Sequence, residues 1–228
     1  MHGISLWGNE MGINSDLAVL YQSWKRPGEQ FVAGGVVDET EYLAAPCKML
    51  VLLKEVNESD NRQHYDWSLV DLINDQIKTF KLNQKGYLEI WKRVGVLSLG
   101  LINEFNSYRL STYIEDDIAL GLSAIAVTNL KKSAGSGNSD HSAIKKYAER
   151  DKDLWIREIE IMGPDVIFCG GTFDIVQDIL SFKIQKGPSG ADYGQYGETV
   201  FVDFAHPMYR ISPKIYYAYF IETMRELE

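Results

Sequence analysis

The stretch Cys47-Lys-Met-Leu-Val-Leu-Leu53 decides the fold class, because it is a short apolar run that polar residues follow at once. A run of this length is typical of a strand buried on both faces of a parallel sheet. Three further runs share its character: Ser123-Ala-Ile-Ala-Val-Thr128, Asp165-Val-Ile-Phe-Cys169 and Thr199-Val-Phe-Val-Asp-Phe204. The sequence therefore predicts a short, mainly parallel sheet of four strands.

Between these runs the apolar residues recur every three or four positions, which is the period of an amphipathic helix. From Ser139 to Met162 the pattern predicts one helix, which Ser139 or Asp140 caps and Gly163-Pro164 ends. Shorter helical patterns cover 173–182 and 214–227. Strands that alternate with helices predict a three-layer α/β/α domain over residues 47–228.

The remaining segments have weaker patterns. Several helices are predicted within 66–120, with breaks around Gly86 and Gly95, and the stretch from Gly187 to Gly197 is predicted to be a loop or hairpin. Residues 1–46 show no clear periodicity. We interpret them as an N-terminal extension that packs on the domain.

The composition limits the classes of function. The 228 residues include 23 Lys and Arg against 32 Asp and Glu, and the resulting net charge of -9 argues against a protein that coats nucleic acid through bulk charge. The two cysteines, Cys47 and Cys169, lie in apolar runs and not at paired spacing, which predicts neither a disulfide framework nor a metal site. Without a signal-peptide pattern or a run of about 18 apolar residues, we expect a cytoplasmic protein that spans no membrane.

Ligands of parallel α/β proteins bind at the carboxyl ends of the strands. The residues that follow each predicted strand are therefore the candidates for a site. They are Lys54, Glu55, Val56 and Asn57 after the first strand, Asn129, Lys131 and Lys132 after the second, Gly170 and Gly171 after the third, and His206, Pro207 and Arg210 after the fourth.

This succession of strand ends resembles the uracil-DNA glycosylase superfamily. The matching pieces are MLVLLKEVN at 49–57, IAVTNLKK at 125–132, MGPDVIFCGG at 162–171 and VDFAHPMYR at 202–210. The resemblance covers about residues 47–228. It implies a DNA-repair enzyme that hydrolyses the bond between sugar and base at uracil or a related damaged base in DNA, with no metal or redox cofactor.

The resemblance also implies roles for single residues. His206 matches the His of the family's His-Pro-Ser motif, which donates a hydrogen bond to the departing base. Asn129 matches the Asn that ends the second strand and pairs with the base edge. An aromatic ring, Tyr65 or Trp67, would stack on the base. The residues expected to contact DNA phosphates are Lys131, Lys132 and Arg210.

The first motif departs from the family. Members commonly carry Gly-Gln-Asp-Pro-Tyr, Gly-Met-Asn-Pro-Gly or Gly-Glu-Ala-Pro-Gly there, whereas this chain has Lys54-Glu-Val-Asn-Glu58. Val56 then stands in the place of the water-activating residue, which leaves Glu55 and Asn57 as candidates for catalysis at the sugar. The departure also favours an alternative, a catalytically inactive or altered module on the same fold that binds a nucleobase, a nucleotide or nucleic acid.

Each candidate residue also has a purely structural interpretation. His206 can cap a turn, Asn129 can satisfy backbone groups in a loop, and Glu55 can form an exposed ion pair with Lys54. Lys131 and Lys132 can be an ordinary solvated pair. A third alternative is an unrelated α/β hydrolase or transferase, in which the two residues Asn129 and His206 would lie far apart.

Overall fold

A computed structural model describes residues 12–56, 66–81, 88–105, 115–135 and 139–227. Within these ranges helices and strands alternate along much of the chain. The elements are, in chain order, α1 (Ile13–Trp24), β1 (Val32–Ala33), β2 (Gly35–Val36), α2 (Glu39–Ala44), β3 (Met49–Leu53), β4 (Trp67–Ser68), α3 (Leu69–Lys81), α4 (Glu89–Ile102), α5 (Glu115–Ser123), β5 (Ile125–Asn129), α6 (His141–Arg150), α7 (Lys152–Met162), β6 (Val166–Gly170), α8 (Phe173–Leu180), β7 (Gln185–Lys186), β8 (Asp192–Tyr196), β9 (Thr199–Phe204) and α9 (Pro213–Arg225).

The central sheet of the described residues has seven strands in the order β2-β5-β3-β6-β9-β8-β7. Its four middle strands are parallel to one another, and they are the four apolar runs of the sequence. The edge strands β2, β8 and β7 are antiparallel to their neighbours. The sheet is thus mainly parallel but larger than the predicted four strands, because the edge strands are too short or too polar to form apolar runs.

Both faces of the sheet are covered by helices. Along β3, Met49, Val51 and Leu53 enter a core formed with α3, α4, α5 and α9. The alternate residues Leu50 and Leu52 enter a second core formed with α1, α6, α7 and α8. The chain leaves β3 towards the first set of helices and leaves β6 towards α8 in the second. Adjacent strands with such opposite connections leave a crevice between their carboxyl ends, where α/β proteins bind ligands.

The predicted helix from Ser139 to Met162 is in fact two helices, α6 and α7. Asp140 caps α6 by accepting hydrogen bonds from two backbone N–H groups, and Gly163 ends α7 with a φ of 56°. The prediction of a single helix was wrong because the chain turns at Asp151. The buried carboxylate of this residue binds Arg26 and Arg150 at 2.6 and 2.8 Å. The apolar period continues across the turn because both helices pack on the same core.

The predicted break around Gly95 does not occur, because α4 runs through this residue without interruption. A Cβ atom at Gly95 would lie 2.8 Å from the carbonyl oxygen of Ile118, and one at Gly121 would collide with the carbonyl of Gly95. The two glycines thus allow α4 and α5 to approach closely. The other predicted break, at Gly86, lies outside the described residues. Further along the chain, the stretch from Gly187 to Gly197 contains the β7-β8 turn and β8, and Gly197 begins the turn from β8 to β9.

The described residues before β3 belong to the sheet and to the second core. β2 pairs with β5, and α1 packs against α7. The Tyr21 hydroxyl of α1 donates a hydrogen bond of 2.5 Å to Glu158 of α7. In the part of the chain that the structure describes, no helix has the length and apolar character needed to cross a membrane.

Candidate functional site

The residues that follow the four parallel strands lie side by side at the carboxyl ends of these strands. We call this end of the sheet its carboxyl edge. The register pairs Asn129 with Leu53, next to Lys54, and pairs Phe204, two residues before His206, with Gly170. Three strand spacings of about 4.8 Å separate β5 from β9, which gives a distance of about 14 Å. The ends of β3 and β6, with Lys54 and Gly171, lie between these two positions.

Asn129 is the most informative residue of this edge. Its side chain is buried, with the residue only 1% exposed, and neither Oδ1 nor Nδ2 has a hydrogen-bond partner among the described residues. Leaving such a polar group unpaired costs about 1–3 kcal/mol, and buried amides in folded proteins are therefore nearly always paired. The amide of Asn129, at the carboxyl end of β5, is therefore a candidate to receive hydrogen bonds from a ligand.

His206 lies at the other end of the same edge and is half-buried. Its Nδ1 accepts a hydrogen bond of 3.2 Å from the backbone N–H of Met208. Burial, and secondly the charge of Lys54, lower the pKa of the imidazole below its usual 6.5. The ring is therefore neutral at pH 7. Because Nδ1 is the acceptor, the proton is on Nε2, which is available as a donor.

The turn after His206 is held by α4. The guanidinium of Arg93 donates hydrogen bonds of 3.1 and 3.0 Å to the carbonyl oxygens of Pro207 and Tyr209. This contact crosses from a helix to the strand end and fixes the path of the chain on both sides of the turn. His206 is thus positioned by an interaction distant in sequence, in addition to its own hydrogen bond with Met208.

Glu55 is bound to Lys131 and not to Lys54. The carboxylate and the Lys131 ammonium are 2.5 Å apart, with side-chain exposures of 5% and 11%. Lys131 also donates to the carbonyl of Ala134 at 2.9 Å. The predicted exposed pair of Glu55 with Lys54 was therefore wrong. A carboxylate held in this way has its charge already balanced, and the Lys131 ammonium is equally engaged.

Lys132 is turned into the protein. Its ammonium lies 2.6 Å from Glu158, a residue that is fully buried in α7, and 4.8 Å from the centre of the Trp24 ring. This placement corrects the prediction that Lys132 contacts a phosphate, because a buried and paired ammonium offers no surface to DNA. The sequence of the adjacent residues Lys131 and Lys132 gave no sign that both are paired with carboxylates. The acidic partners come from the segment after β3 and from α7, which are distant in sequence.

The other predicted site residues are placed as follows. Arg210 is exposed, and the structure shows no ion pair for it with any described residue. Trp67 is half-buried in β4 against the first core, and its indole N–H has no partner among the described residues. Asn57 and Tyr65 lie outside the described residues. The contact of Arg210 with a phosphate stays a prediction. The stacking of Trp67 on a base also stays a prediction.

Lys54 is a further charged residue of this edge, and it has no specific role in the family that the sequence resembles. Its side chain lies over Gly171, where a Cβ atom would be 3.5 Å from Cε and 3.7 Å from Nζ. Lys54 thus reaches from β3 across the end of β6, towards the strand that carries His206. The only signal in the sequence was a charged residue at the first position after the strand.

A separate cavity lies away from this edge. A cavity of about 280 Å³ opens at the amino end of the sheet, between α7 and the β8-β9 hairpin, and is lined mainly by apolar side chains such as Trp155, Ile159 and Phe201. It lies at the opposite end of the strands from Asn129 and His206.

The described ranges contain no group of three or more His, Cys, Asp or Glu residues that could hold a metal ion.

Comparison with known proteins adds no assignment. No protein-family model matches the chain, and no curated protein sequence is significantly similar to it.

Proposed function

We propose that this chain is a divergent member of the uracil-DNA glycosylase superfamily, with the three-layer α/β/α domain of that family. In this proposal it takes a uracil-like base out of DNA into the crevice at the carboxyl edge of the sheet and hydrolyses the bond between base and sugar. The observation that carries the proposal is the buried amide of Asn129, which lacks partners among the described residues. A base inside a duplex cannot reach such a position, so it must leave the stack.

The amide of Asn129 suits the edge of uracil. An amide presents one acceptor and one donor side by side. In one orientation its oxygen accepts from the N–H of uracil while its NH₂ donates to the adjacent carbonyl oxygen. Cytosine presents the reverse pattern, so an amide that is kept in this orientation would be left with both groups unpaired opposite cytosine, which enzymes use to reject an unwanted substrate.

His206 suits the other side of the base. When the bond between sugar and base breaks, negative charge develops on the base and positive charge on the sugar. The neutral imidazole, with Nε2 as its free donor, can place a hydrogen bond on a base oxygen where that charge accumulates. Because Met208 and Arg93 hold the turn, this donor is positioned before the substrate arrives.

A second candidate function is a base-binding module without hydrolysis, and one observation favours it. Val56, which stands in the place of the water-activating residue, is an apolar side chain partly buried against the first core. The neighbouring Glu55 is paired with Lys131. Within the described part of this loop, no unpaired carboxylate is therefore available to activate water at the sugar. The ligand of such a module would be a nucleobase, a nucleotide or nucleic acid.

Release of the free base from oligonucleotides tests the proposal. Purified protein is incubated with single-stranded and double-stranded DNA that contains uracil or hypoxanthine, alongside Asn129→Leu, His206→Gln and the surface control Arg157→Gln. We expect release by the wild type and by the control, and a loss of about 100-fold or more in each site variant, as is typical when one transition-state donor is removed.

The remaining outcomes separate the two candidate functions. Binding of uracil-containing DNA that Asn129→Leu abolishes, without release of the base, would identify a binding module. Neither release nor preferential binding at high protein concentration would refute both candidates. Circular dichroism of each variant shows whether a loss of activity reflects the site or the fold.

A further inference from the structure

A further charged group at this edge of the sheet is Lys54. It is the first residue after β3, the strand at the crevice formed with β6. Gly171 has no side chain and a φ of 74°, and the Lys54 side chain lies over it. A larger residue at position 171 would come within ordinary contact distance of the ammonium. The local structure thus directs this ammonium along the edge of the sheet towards β9.

Lys54 differs from the two other lysines of the site in its charge balance. Lys131 is paired with Glu55, and Lys132 is paired with Glu158. The structure shows no ion pair between Lys54 and any carboxylate of the described residues. The side chain is half-buried, and its charge acts on His206. The Lys54 ammonium, half-buried and without a balancing carboxylate among the described residues, therefore attracts an anion.

We propose that Lys54 is a further catalytic residue, whose ammonium stabilises the negative charge that forms on the departing base next to His206. This inference rests on the proposed function. The bonding electrons of the bond between sugar and base leave with the base as an anion. Water adds its hydroxyl group to the sugar carbon and releases a proton, and the base anion takes up a proton from solvent.

The ammonium and the imidazole would stabilise the base anion in two different ways. His206 supplies a directional hydrogen bond to one oxygen, whereas Lys54 supplies a full positive charge in a partly dry site, where charges interact more strongly than in water. Stabilisation of this kind matters in proportion to the charge on the leaving group. It should therefore matter less for a base that is a better leaving group.

This dependence provides the test. Single-turnover rates of base release are measured at pH 7, where His206 is neutral and both bases keep their N–H proton, on matched oligonucleotides that carry uracil or 5-fluorouracil. The proteins are the wild type, Lys54→Met, Lys54→Arg and Lys48→Met. Lys48 is a matched control because it lies at the other end of the same strand, in an ion pair with Asp165.

We expect Lys54→Met to slow uracil release by about 10- to 100-fold, less than the loss of about 100-fold or more on removal of a directional hydrogen-bond donor. The loss on 5-fluorouracil should be several-fold smaller, because fluorine makes the base more acidic and its anion needs less stabilisation. Lys54→Arg should recover part of the rate, since it keeps the charge. Lys48→Met should behave like the wild type.

Two results would overturn the role of Lys54 while leaving the proposed function intact. One is an unchanged rate in Lys54→Met on both substrates. The other is an equal loss on both, which indicates that the residue only shapes the loop. Failure of the wild type to release either base is a different result, because it refutes the proposed function and the role of Lys54 with it.

Discussion

His206 shows how a single residue acquires its chemical state from its surroundings. A histidine in water is partly protonated near neutral pH. Here burial, together with the charge of Lys54, lowers the pKa of the ring, and the hydrogen bond from Met208 places the remaining proton on Nε2. The result is a neutral donor, which is the form required to hydrogen-bond a base oxygen without itself demanding a counter-ion.

The pKa of His206 can be followed directly. The chain has four histidines, so a His206→Gln variant identifies the resonance of this ring in an NMR titration. We expect a pKa below 6.5 in the wild type. In Lys54→Met it should rise but stay below that value, because burial is the larger cause and remains. An unchanged pKa in Lys54→Met would contradict an effect of the Lys54 charge on the ring.

The same shift affects the stability of the protein. Because the pKa is lower in the folded chain, the unfolded chain binds more protons as the pH falls below about 6.5, and the free energy of unfolding decreases. His206→Gln lacks this contribution. Urea unfolding at pH 7, 6 and 5 should therefore show a larger loss of stability in the wild type than in the variant.

At the scale of elements, Glu158 ties three parts of the fold together. It accepts hydrogen bonds from Tyr21 of α1 and from Thr128 of β5, and it is paired with Lys132 in the segment that follows β5. Burial, and secondly the charge of Glu158, raise the pKa of the Tyr21 hydroxyl, which therefore stays protonated and acts as a donor. This network positions the segment directly after Asn129.

Loss of one partner should leave an uncompensated buried charge. We expect Lys132→Met to lower the free energy of unfolding by about 3–5 kcal/mol, measured by urea denaturation. The double variant Lys132→Met with Glu158→Leu should be clearly more stable than this single variant. As a control, Lys145→Met removes an exposed pair with Asp178 and should cost no more than about 1 kcal/mol. An equally small effect of Lys132→Met would contradict the buried network.

At the scale of the whole molecule, the segment before β3 is part of the architecture. Leu17, Trp24 and Phe31 belong to the second core, and β2 supplies the neighbour of β5 at the edge of the sheet. Its removal would expose apolar surface on α7 and on the sheet, at about 25 cal/mol for each Å² returned to water. The four strand-end segments 49–57, 125–132, 162–171 and 202–210 all follow this segment, yet β5, which carries Asn129, pairs with its strand β2.

A truncated chain tests this arrangement. We expect residues 47–228 alone to lose the cooperative urea transition of the full chain and to associate through the uncovered core, as measured by tryptophan fluorescence and sedimentation velocity. The site variant Asn129→Leu in the full chain is the comparison, since it should keep the transition. Cooperative unfolding of 47–228 with a midpoint close to that of the full chain would show that the segment is an appendage.

The sequence by itself determined the four parallel strands and the residues that end them. Both are local patterns: an apolar run such as 47–53 is long enough for a buried strand, and its abrupt polar end marks the edge of the sheet. The cap at Asp140 and the end at Gly163 were predictable for the same reason. Each depends only on the residues nearest to it in the chain.

Only the tertiary structure decided which of the strand-end groups are occupied and which are free. Lys131 and Lys132 are neighbours in sequence, but their carboxylates come from positions 76 and 26 residues away. In the same way, the fold leaves Asn129 buried without a partner among the described residues and places the Lys54 side chain over Gly171. Charge balance and hydrogen bonding depend on which distant segments the fold brings together, and a linear pattern of residue types does not contain that information.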